Sequence, residues 1–529
     1  MVHLVDEVNP KFMIGRGFKN ALYQDYSSEA DIRPYWDRAR GHQLISLYSA
    51  YLQTSNEKYL DRLDDELNSI TNYDDYFCNY LWTDALNLAI RSLNLLSLLE
   101  IQNTNSSNFD QRSMLGYLMC CECIIQTRSP SSSIENNHHL VETLTLIVYF
   151  QLTNQKKLLT REFRYLKRLR KTLFYDNGLL YEGSLPYQRF VLEAYLVCYY
   201  FLQKFDCDRI ILEEIFEQIA EIYNYAINIS GRSGLLKAFG DYDYGQVIRL
   251  SIEQYFTLGE IEYLYHTLEG KKQIDLPLLA IYDQATKQSH DKKCIKSSPS
   301  YINSIGYSRI SRGPFDVWID NDYAGLGKSG VGGHGHNDTS SIIVDFNGAE
   351  IISDYGVRGY FHGPRVRDKD RSSFNHNLVS REGVEQNLLA GSYYIFPQVK
   401  NIDVWHNEES DFSLFKVSFT VEYNDAHVLQ RRVIKLTNKI LSVRDISVSR
   451  KCIKFQNNLL LNLDKFNSSI GWDGDSKLIF DGKPEFRSES LSQEILHQKG
   501  CYLRFTNTPK IRYFNDVFIS QSTFTFTLS

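Results

Sequence analysis

From about residue 33 to 285 the apolar side chains return every three or four positions, as in Leu44, Leu47, Tyr48, Tyr51 and again Leu86, Ile90, Leu93, Leu96. That is the period of helices that bury one face. The pattern predicts further helices near 113–127, 139–153, 157–173, 188–204, 209–228 and 247–268, separated by short turns such as TNQKK and YDNG. Short connections favour antiparallel neighbours, so a long series of them without a strand predicts a ring of helical hairpins.

Around 285–300 the polar, lysine-rich stretch TKQSHDKKCIKSSPS reads as a linker. Beyond it the period changes to two: Val417, Phe419, Val421 and Tyr423 alternate with Lys416, Ser418, Thr420 and Glu422, and similar runs recur to the C-terminal FISQSTFTFTLS. Alternation of this kind predicts an antiparallel β-sandwich. A chain of 529 residues exceeds one ordinary core. The expectation is therefore an α+β multidomain protein with a helical domain over 1–290 and a sandwich over 291–529.

The formal net charge of −6 argues against a generally basic, nucleic-acid-binding surface and leaves room for a local basic pocket. Nine cysteines form no even framework, and most sit within apolar helical patterns, so they read as reduced and buried. Cys120, Cys121 and Cys123 would scatter around a helix axis, which does not suit a metal site. The N-terminus lacks an apolar signal core, and no stretch approaches the roughly 20 apolar residues of a membrane span. Cytoplasm is the default compartment, with the periplasm or exterior reached only by another export route; oligomeric state is not encoded in these features.

Three clusters carry candidate chemistry. ENNHHL (135–140) opens a helix, where Asn136 can serve as its cap. YDNGLLYEGSLPYQRF (175–190) delivers Glu182, Ser184 and Tyr187 from a turn into another helix. GGHGHNDTSSIIVDFNGAEIISDYG (332–356) sets His334 and His336 two apart, on one face of an extended backbone. Asp354 follows His336 by 18 residues and His376 follows by 22 more. Two histidines and a carboxylate can hold zinc with a fourth position open, or the same residues can be hydrogen-bonded structural groups. The run RVRDKDRSSFNHN adds Arg365, Arg367, Lys369 and Arg371.

Taken together, these motifs resemble the heparinase II/III group of polysaccharide lyases and the related alginate and oligo-alginate lyases. WDRARGHQLISLYSAYLQTSNEKYL looks like the early helical segment of that family, ENNHHLVETLTLIVYF like its NNH helix, and YDNGLLYEGSLPYQ like its DG…EGSP.YH turn. GGHGHNDTSS, IISDYG and SSFNHN look like its GHAHAD, DPG and AHN elements. The resemblance implies an incomplete (α/α) toroid followed by an antiparallel β-sandwich. It also implies roles: Asn137 neutralises a substrate carboxylate, His138 is a candidate base, Tyr187 acts as base, acid or both, and His334 assists. His336, Asp354 and His376 would hold a structural zinc. Gln188 stands where many members of the family have histidine.

In a uronic acid the C5 proton lies α to a carboxylate, so its removal builds an enolate-like dianion that needs hydrogen-bond donors. The departing glycosidic oxygen needs an acid. The expected substrate is an acidic polysaccharide or oligosaccharide, with Asn136, Glu182, Gln188, Arg189, Arg365, Arg367 and Arg371 as candidate substrate contacts, Arg supplying the carboxylate forks. A uronyl C5-epimerase would use the same proton abstraction. A hydrolase would need paired carboxylates, for which Glu182 and Asp176 are the available pair. A non-catalytic polysaccharide-binding or assembly protein, linked to cell-surface polysaccharide synthesis, is the alternative from another class.

Overall fold

The computed structural model describes residues 37–71, 82, 84–105, 111–128, 135–242, 245–249, 258–269, 278, 280–281, 284, 301–303, 306–323, 333–354, 356–357, 364–390 and 394–462, and beyond these the strand segments up to 527. The helices are α1 (His42–Thr54), α2 (Lys58–Thr71), α3 (Ala85–Asn105), α4 (Gln111–Thr127), α5 (Asn137–Leu152), α6 (Lys156–Leu173), α7 (Leu185–Lys204), α8 (Arg209–Ser230) and α9 (Leu258–Leu268). Two of them are apolar nearly all round: α5 and α7 bury Leu144, Ile147, Val148, Leu192, Tyr195 and Leu196 on several faces. Such helices belong inside a ring. α6, with Leu159, Leu166 and Leu169 on one stripe and lysines and arginines elsewhere, lies on its outside.

One expected helix start fails. Residues 247–249 are not helical: the ring Nε2 of His42 lies 3.1 Å from the carbonyl oxygens of both Gln246 and Val247, Asn94 Nδ2 donates to Val247 O at 2.8 Å, and Ile248 N–H donates to Glu193 at 3.0 Å. Side chains from other helices satisfy the backbone groups that a helix would have used. The linker at 285–300 lies outside the described residues.

The second half forms two large antiparallel sheets and a hairpin. The first contains β1 (Tyr301–Asn303), β2 (Gly306–Arg312), β3 (Phe315–Asn321), β4 (Ile342–Phe346), β5 (Ala349–Ile352) and β6 (Val379–Arg381). A short hairpin follows, β7 (Leu388–Ala390) and β8 (Tyr394–Phe396). The second sheet is built on β9 (Val399–Glu408), β10 (Ser413–Tyr423), β11 (Ala426–Leu436) and β12 (Ile440–Ser449). β13 (Phe455–Asn462) returns to the first sheet, β14 (Ile470–Asp473), β15 (Lys477–Phe480) and β16 (Glu485–Ser488) extend the second, and β17 (Ser492–His497) and β18 (Cys501–Asn507) extend the first. β19 (Lys510–Phe514) and β20 (Val517–Thr527) close the second sheet against β12. The expected alternation holds: Val417, Phe419, Val421 and Tyr423 point inward, joined by Ile319, Val344, Ile434 and Phe526 in the core between the sheets.

The first sheet also packs against the helices. Tyr225 and Ile229 of α8 share a cluster with Leu179, Leu185, Phe239, Tyr307, Trp318 and Ile343, and Trp318 Nε1 donates to Ile229 O at 2.6 Å. Lys237, over the Trp318 ring at 4.4 Å, pairs with Asp345 at 2.5 Å and Glu350 at 3.0 Å. A dry, charge-locked seam therefore fixes the helical half on the sandwich. No described helix is long and apolar enough to cross a membrane.

Burial, then the nearby Arg40 charge, pushes the His42 imidazole down to about 4 from its usual 6.5. The unfolded chain takes up a proton below about pH 6.5 and the folded protein only near 4, so the contribution of His42 is complete above 6.5 and is lost as pH falls toward 4. The melting-temperature gap between the protein and a His42→Asn variant is expected to be wider at pH 7 than at pH 4.5. Differential scanning calorimetry at the two pH values checks this; an equal gap at both would contradict it.

Candidate active site

Two helix N-termini meet the sandwich at one place. Asn136 has an extended backbone and caps α5, its side chain accepting from His139 N–H at 3.4 Å. Ser184 caps α7, accepting from Tyr187 N–H at 3.3 Å while donating to Asp241 O at 2.8 Å. These caps set Asn137 and Tyr187 in the first turns, where the helix dipoles favour an anion. Asn136, expected at the substrate, is thus occupied as a cap and by the His139 ring, whose Nδ1 lies 2.9 Å from its oxygen.

Glu182 holds Asn137 in place. Its carboxylate accepts the Asn137 backbone N–H and, at 2.7 Å, the side-chain Nδ2–H. Burial raises the Glu182 carboxyl above its ordinary range, against the pull of His334 and Asn137. Asn137 Nδ2 also lies 3.0 Å from His334 Nε2, so both amide protons have partners within the protein. The Tyr187 ring stacks on the His334 imidazole, with centroids 3.7 Å apart and an interplanar angle of 17°. Asn137, Tyr187 and His334, far apart in the chain, pack into one cluster in which Asn137 is fully buried and Tyr187 half-buried, with Glu182 behind it. His138 follows on α5, and burial lowers its pKa to about 4, so it is a neutral imidazole.

A residue absent from the sequence expectations organises this cluster. The fully buried Asp241 carboxylate contacts His334 Nδ1 at 2.7 Å, His336 Nε2 at 2.9 Å, and Arg367 Nη1 and Nη2 at 2.8 and 2.7 Å. Burial alone would raise its pKa; Arg367 and the two histidines hold it well below the usual carboxylate range. The His334 backbone is clamped as well, its N–H donating to Glu182 O at 3.1 Å and its carbonyl accepting from Asp241 N–H at 2.9 Å. Gly240 makes this approach possible: at φ +70° a Cβ there would lie 2.6 Å from His334 O and would also strike Gly183 O. The only trace in the sequence is the pair of aspartates between glycines in FGDYDYG.

His334 and His336 share Asp241 through opposite ring nitrogens, which leaves different nitrogens facing outward. His334 presents Nε2 to Asn137, and His336 presents Nδ1 toward Asp354 and His376. Ligand atoms of His336, Asp354 and His376 lie within 4.8 Å of one another, all three residues buried. His336 Nδ1 and His376 Nε2 are buried without a hydrogen-bond partner. Two orphaned imidazole nitrogens beside a carboxylate fit a zinc-type donor set, with Asp241 supplying the outer carboxylate that orients His336. Burial alone would lower the His376 pKa; the Asp354 carboxylate, 2.7 Å from Nδ1, outweighs it and lifts the imidazole to about 9.

Several of the residues expected at the substrate have partners within the protein. Arg367, on the short helix α10 (Pro364–Asp370), is fully buried against Asp241. Arg371 is fully buried with Asp368 at 2.8 Å, its carbonyl accepting from Asn337 N–H. Arg189 pairs with Glu193 at 3.3 Å and with the carbonyl of Gly245. Gln188 is fully buried in the preceding turn, donating to Gly178 O at 2.7 Å and accepting from Leu180 N–H at 2.8 Å. All four have partners within the protein. The Arg365 side chain lies outside the described residues, and Glu182 faces Asn137.

Residues 296–473 match the family described as Heparinase II/III-like, C-terminal. In fold the chain is similar to a mutant of the heparan sulfate lyase HepC from Pedobacter heparinus, at 14% identity and a TM-score of 0.59, over 93% of this chain and 77% of that one. It is similar to the heparinase III BT4657 gene product at 13% identity and a TM-score of 0.60, over 98% and 85%. The Streptomyces coelicolor A3 chondroitin AC lyase in complex with chondroitin sulphate is a more distant likeness, at 8% identity and a TM-score of 0.52 over 95% and 76%. At these identities the structural likeness speaks for the fold, and no curated protein sequence matches. The chain thus carries a match to a Heparinase II/III-like C-terminal domain over residues 296–473, and its toroid-plus-sandwich architecture is similar in fold to that of these lyases.

Proposed function

We propose that this protein cleaves a uronic-acid-containing polysaccharide by β-elimination. The observation that carries the reading is the convergence of Asn137, Tyr187 and His334 in one cluster at the N-termini of two helices. A uronate carboxylate arriving there replaces the Asn137–His334 hydrogen bond with its own bonds to Asn137 Nδ2 and to His334 Nε2 in protonated form. Asp241, kept ionised, stabilises that imidazolium through Nδ1. Charge that develops on the carboxylate as C5 loses its proton meets donors already in position.

Tyr187, stacked on His334, is the group for proton transfer. A cationic imidazole against its ring favours the phenolate, which takes the C5 proton. The C5–H pair then forms the C4–C5 double bond, the C4–O bond breaks, and the same phenol protonates the departing oxygen. His138, neutral because of its depressed pKa of about 4, is the second base available. Elimination is favoured over hydrolysis because Glu182 is buried on Asn137 while Asp176 is exposed in the preceding turn, and the two do not form the facing carboxylate pair that hydrolysis uses.

His336, Asp354 and His376 would hold zinc in this reading. Bound there, the metal supplies a fixed charge that ties the HGH segment to the loops after β5 and α10. It takes no part in the proton transfers.

Incubated with heparan sulfate, alginate and hyaluronan, the protein is expected to generate the ultraviolet absorbance of an unsaturated uronate from at least one. Tyr187→Phe should lower that turnover by about 10²- to 10⁴-fold, as for loss of a general acid–base; solvent deuterium entering C5 without chain cleavage would instead identify an epimerase. Asp241→Asn leaves Arg367 buried without its counter-charge and should cost about 3–5 kcal/mol of stability, read by chemical denaturation; a loss below about 1 kcal/mol would remove Asp241 from the centre of the assembly. Elemental analysis should find close to one zinc per chain and, in His376→Ala, well under half; full occupancy in the variant would place the metal elsewhere.

A further inference from the structure

The outward face of the second sheet carries a charge pattern that neither the cleft nor the fold requires. Val433 on β11 is paired with Lys416 on β10 and with Arg444 on β12. Arg431 and Lys435 flank it two positions away on the same strand. Lys416 is in turn paired with Trp405 on β9, whose side chain is 42% exposed and lies 5.5 Å from the Lys416 ammonium. Neighbouring strands lie about 5 Å apart and alternate residues about 7 Å apart, so four cations surround one valine beside an open indole.

Among the described residues, none of these four cations forms an ion pair with a carboxylate. Arg431 Nε donates to Ser418 Oγ at 3.3 Å and Arg444 Nη2 to Gln521 Oε1 at 2.8 Å, while the Lys435 ammonium sits 4.6 Å over the Phe412 ring. Carboxylates on this face stand to the side: Asp403 opposite Ser418, and Glu422 opposite His427 at the far end of the hairpin. Each neutral contact orients a cation without cancelling its charge. In a chain of net charge −6, a local concentration of uncompensated positive charge costs self-repulsion that a polyanion would relieve.

The face is distinct from the active-site cluster. The first sheet packs on the helices through Trp318 and Ile343 and on the second sheet through Ile319 and Val344, so an entire sheet layer separates the two. The row Trp405, Lys416, Val433, Arg444 runs across four strands, about 14 Å, long enough for several sugar units. Indole is a stacking surface for a pyranose, and lysine and arginine beside it take carboxylate or sulfate.

We propose that this face is a second, non-catalytic binding site for an acidic polysaccharide, stacking a sugar on Trp405 and pairing its anionic groups with Lys416, Arg431, Lys435 and Arg444. It rests on the proposed function for the class of polymer and goes beyond it in location and role: it retains a long chain while the cleft acts on another part of it. A short oligosaccharide cannot span both sites.

The test uses the full chain and separates binding from turnover. Binding of heparin, alginate and hyaluronan is measured by titration at several salt concentrations for the wild type, for Trp405→Ala, for each cation changed singly to Ser, and for the combined variant Lys416→Glu/Arg431→Glu/Lys435→Glu/Arg444→Glu. The wild type should bind at least one polymer, and the combined variant should bind it roughly tenfold or more weakly with a shallower salt dependence. Circular dichroism reports whether that variant folds; if it does not, the single Ser variants must show graded losses. Cleavage of a short oligosaccharide should be unchanged, while KM for the polymer rises. Unchanged polymer binding in folded variants, or wild-type binding to none of the three polymers, would overturn the site. Equally tight binding of single-stranded DNA through the same four residues would overturn its assignment to a polysaccharide. Binding that depends on these residues in a protein without turnover would uphold the site and count against the lyase reading alone.

Discussion

The Asp241 carboxylate is held by four hydrogen bonds from three side chains, and the geometry of the site depends on it. It touches His334 and His336 from the sandwich half and Arg367 from α10, while its own backbone lies in the helical half between α8 and α9. A carboxylate taken out of water is costly unless its lone pairs are filled and its charge is balanced. Here Arg367 balances it, and the two imidazoles complete the shell. The same bonds that make burial tolerable fix both ring orientations and both tautomers.

That constraint explains how neighbouring histidines come to face different partners. On an extended backbone the two rings share a face, and a single acceptor between them takes Nδ1 of one and Nε2 of the other. The nitrogens left over point in different directions, one to Asn137 and one to Asp354 and His376. The Asn137–His334 contact and the buried donor set of His336, Asp354 and His376 thus share one buried anion.

The seam between the halves is equally important. Asn137 and Tyr187 arrive on helix N-termini, His334 on a segment of the sandwich, and a cluster made from both is only as accurate as their packing. Trp318, bonded to the end of α8 and covered by Lys237, supplies part of that accuracy; Gly240 supplies another part by letting backbone meet backbone. Strain or slack at either place would separate the stacked rings of Tyr187 and His334.

Much of this architecture was legible in the chain. Helices and strands follow from periods of three to four and of two, which are local properties, and the collinear motifs named Asn137, Tyr187, His334, His336, Asp354 and His376 before any geometry was known. Asp241 was not legible, because its loop has no period and its partners lie 93, 95 and 126 residues away. Nor was the fate of the arginines: a charge in sequence suggests solvent, whereas Arg367 and Arg371 are paid for by interior partners that only folding brings near. The helix expected from 247 fails for the same reason, its backbone groups being taken by His42, Asn94 and Glu193. Sequence alone determined the two halves and the kinds of group at the site, since patterning and residue chemistry are carried locally. Tertiary structure decided which groups meet at Asn137, which gather with Asp354 and His376 and which only hold the others, since those choices depend on partners distant in the chain and close in space.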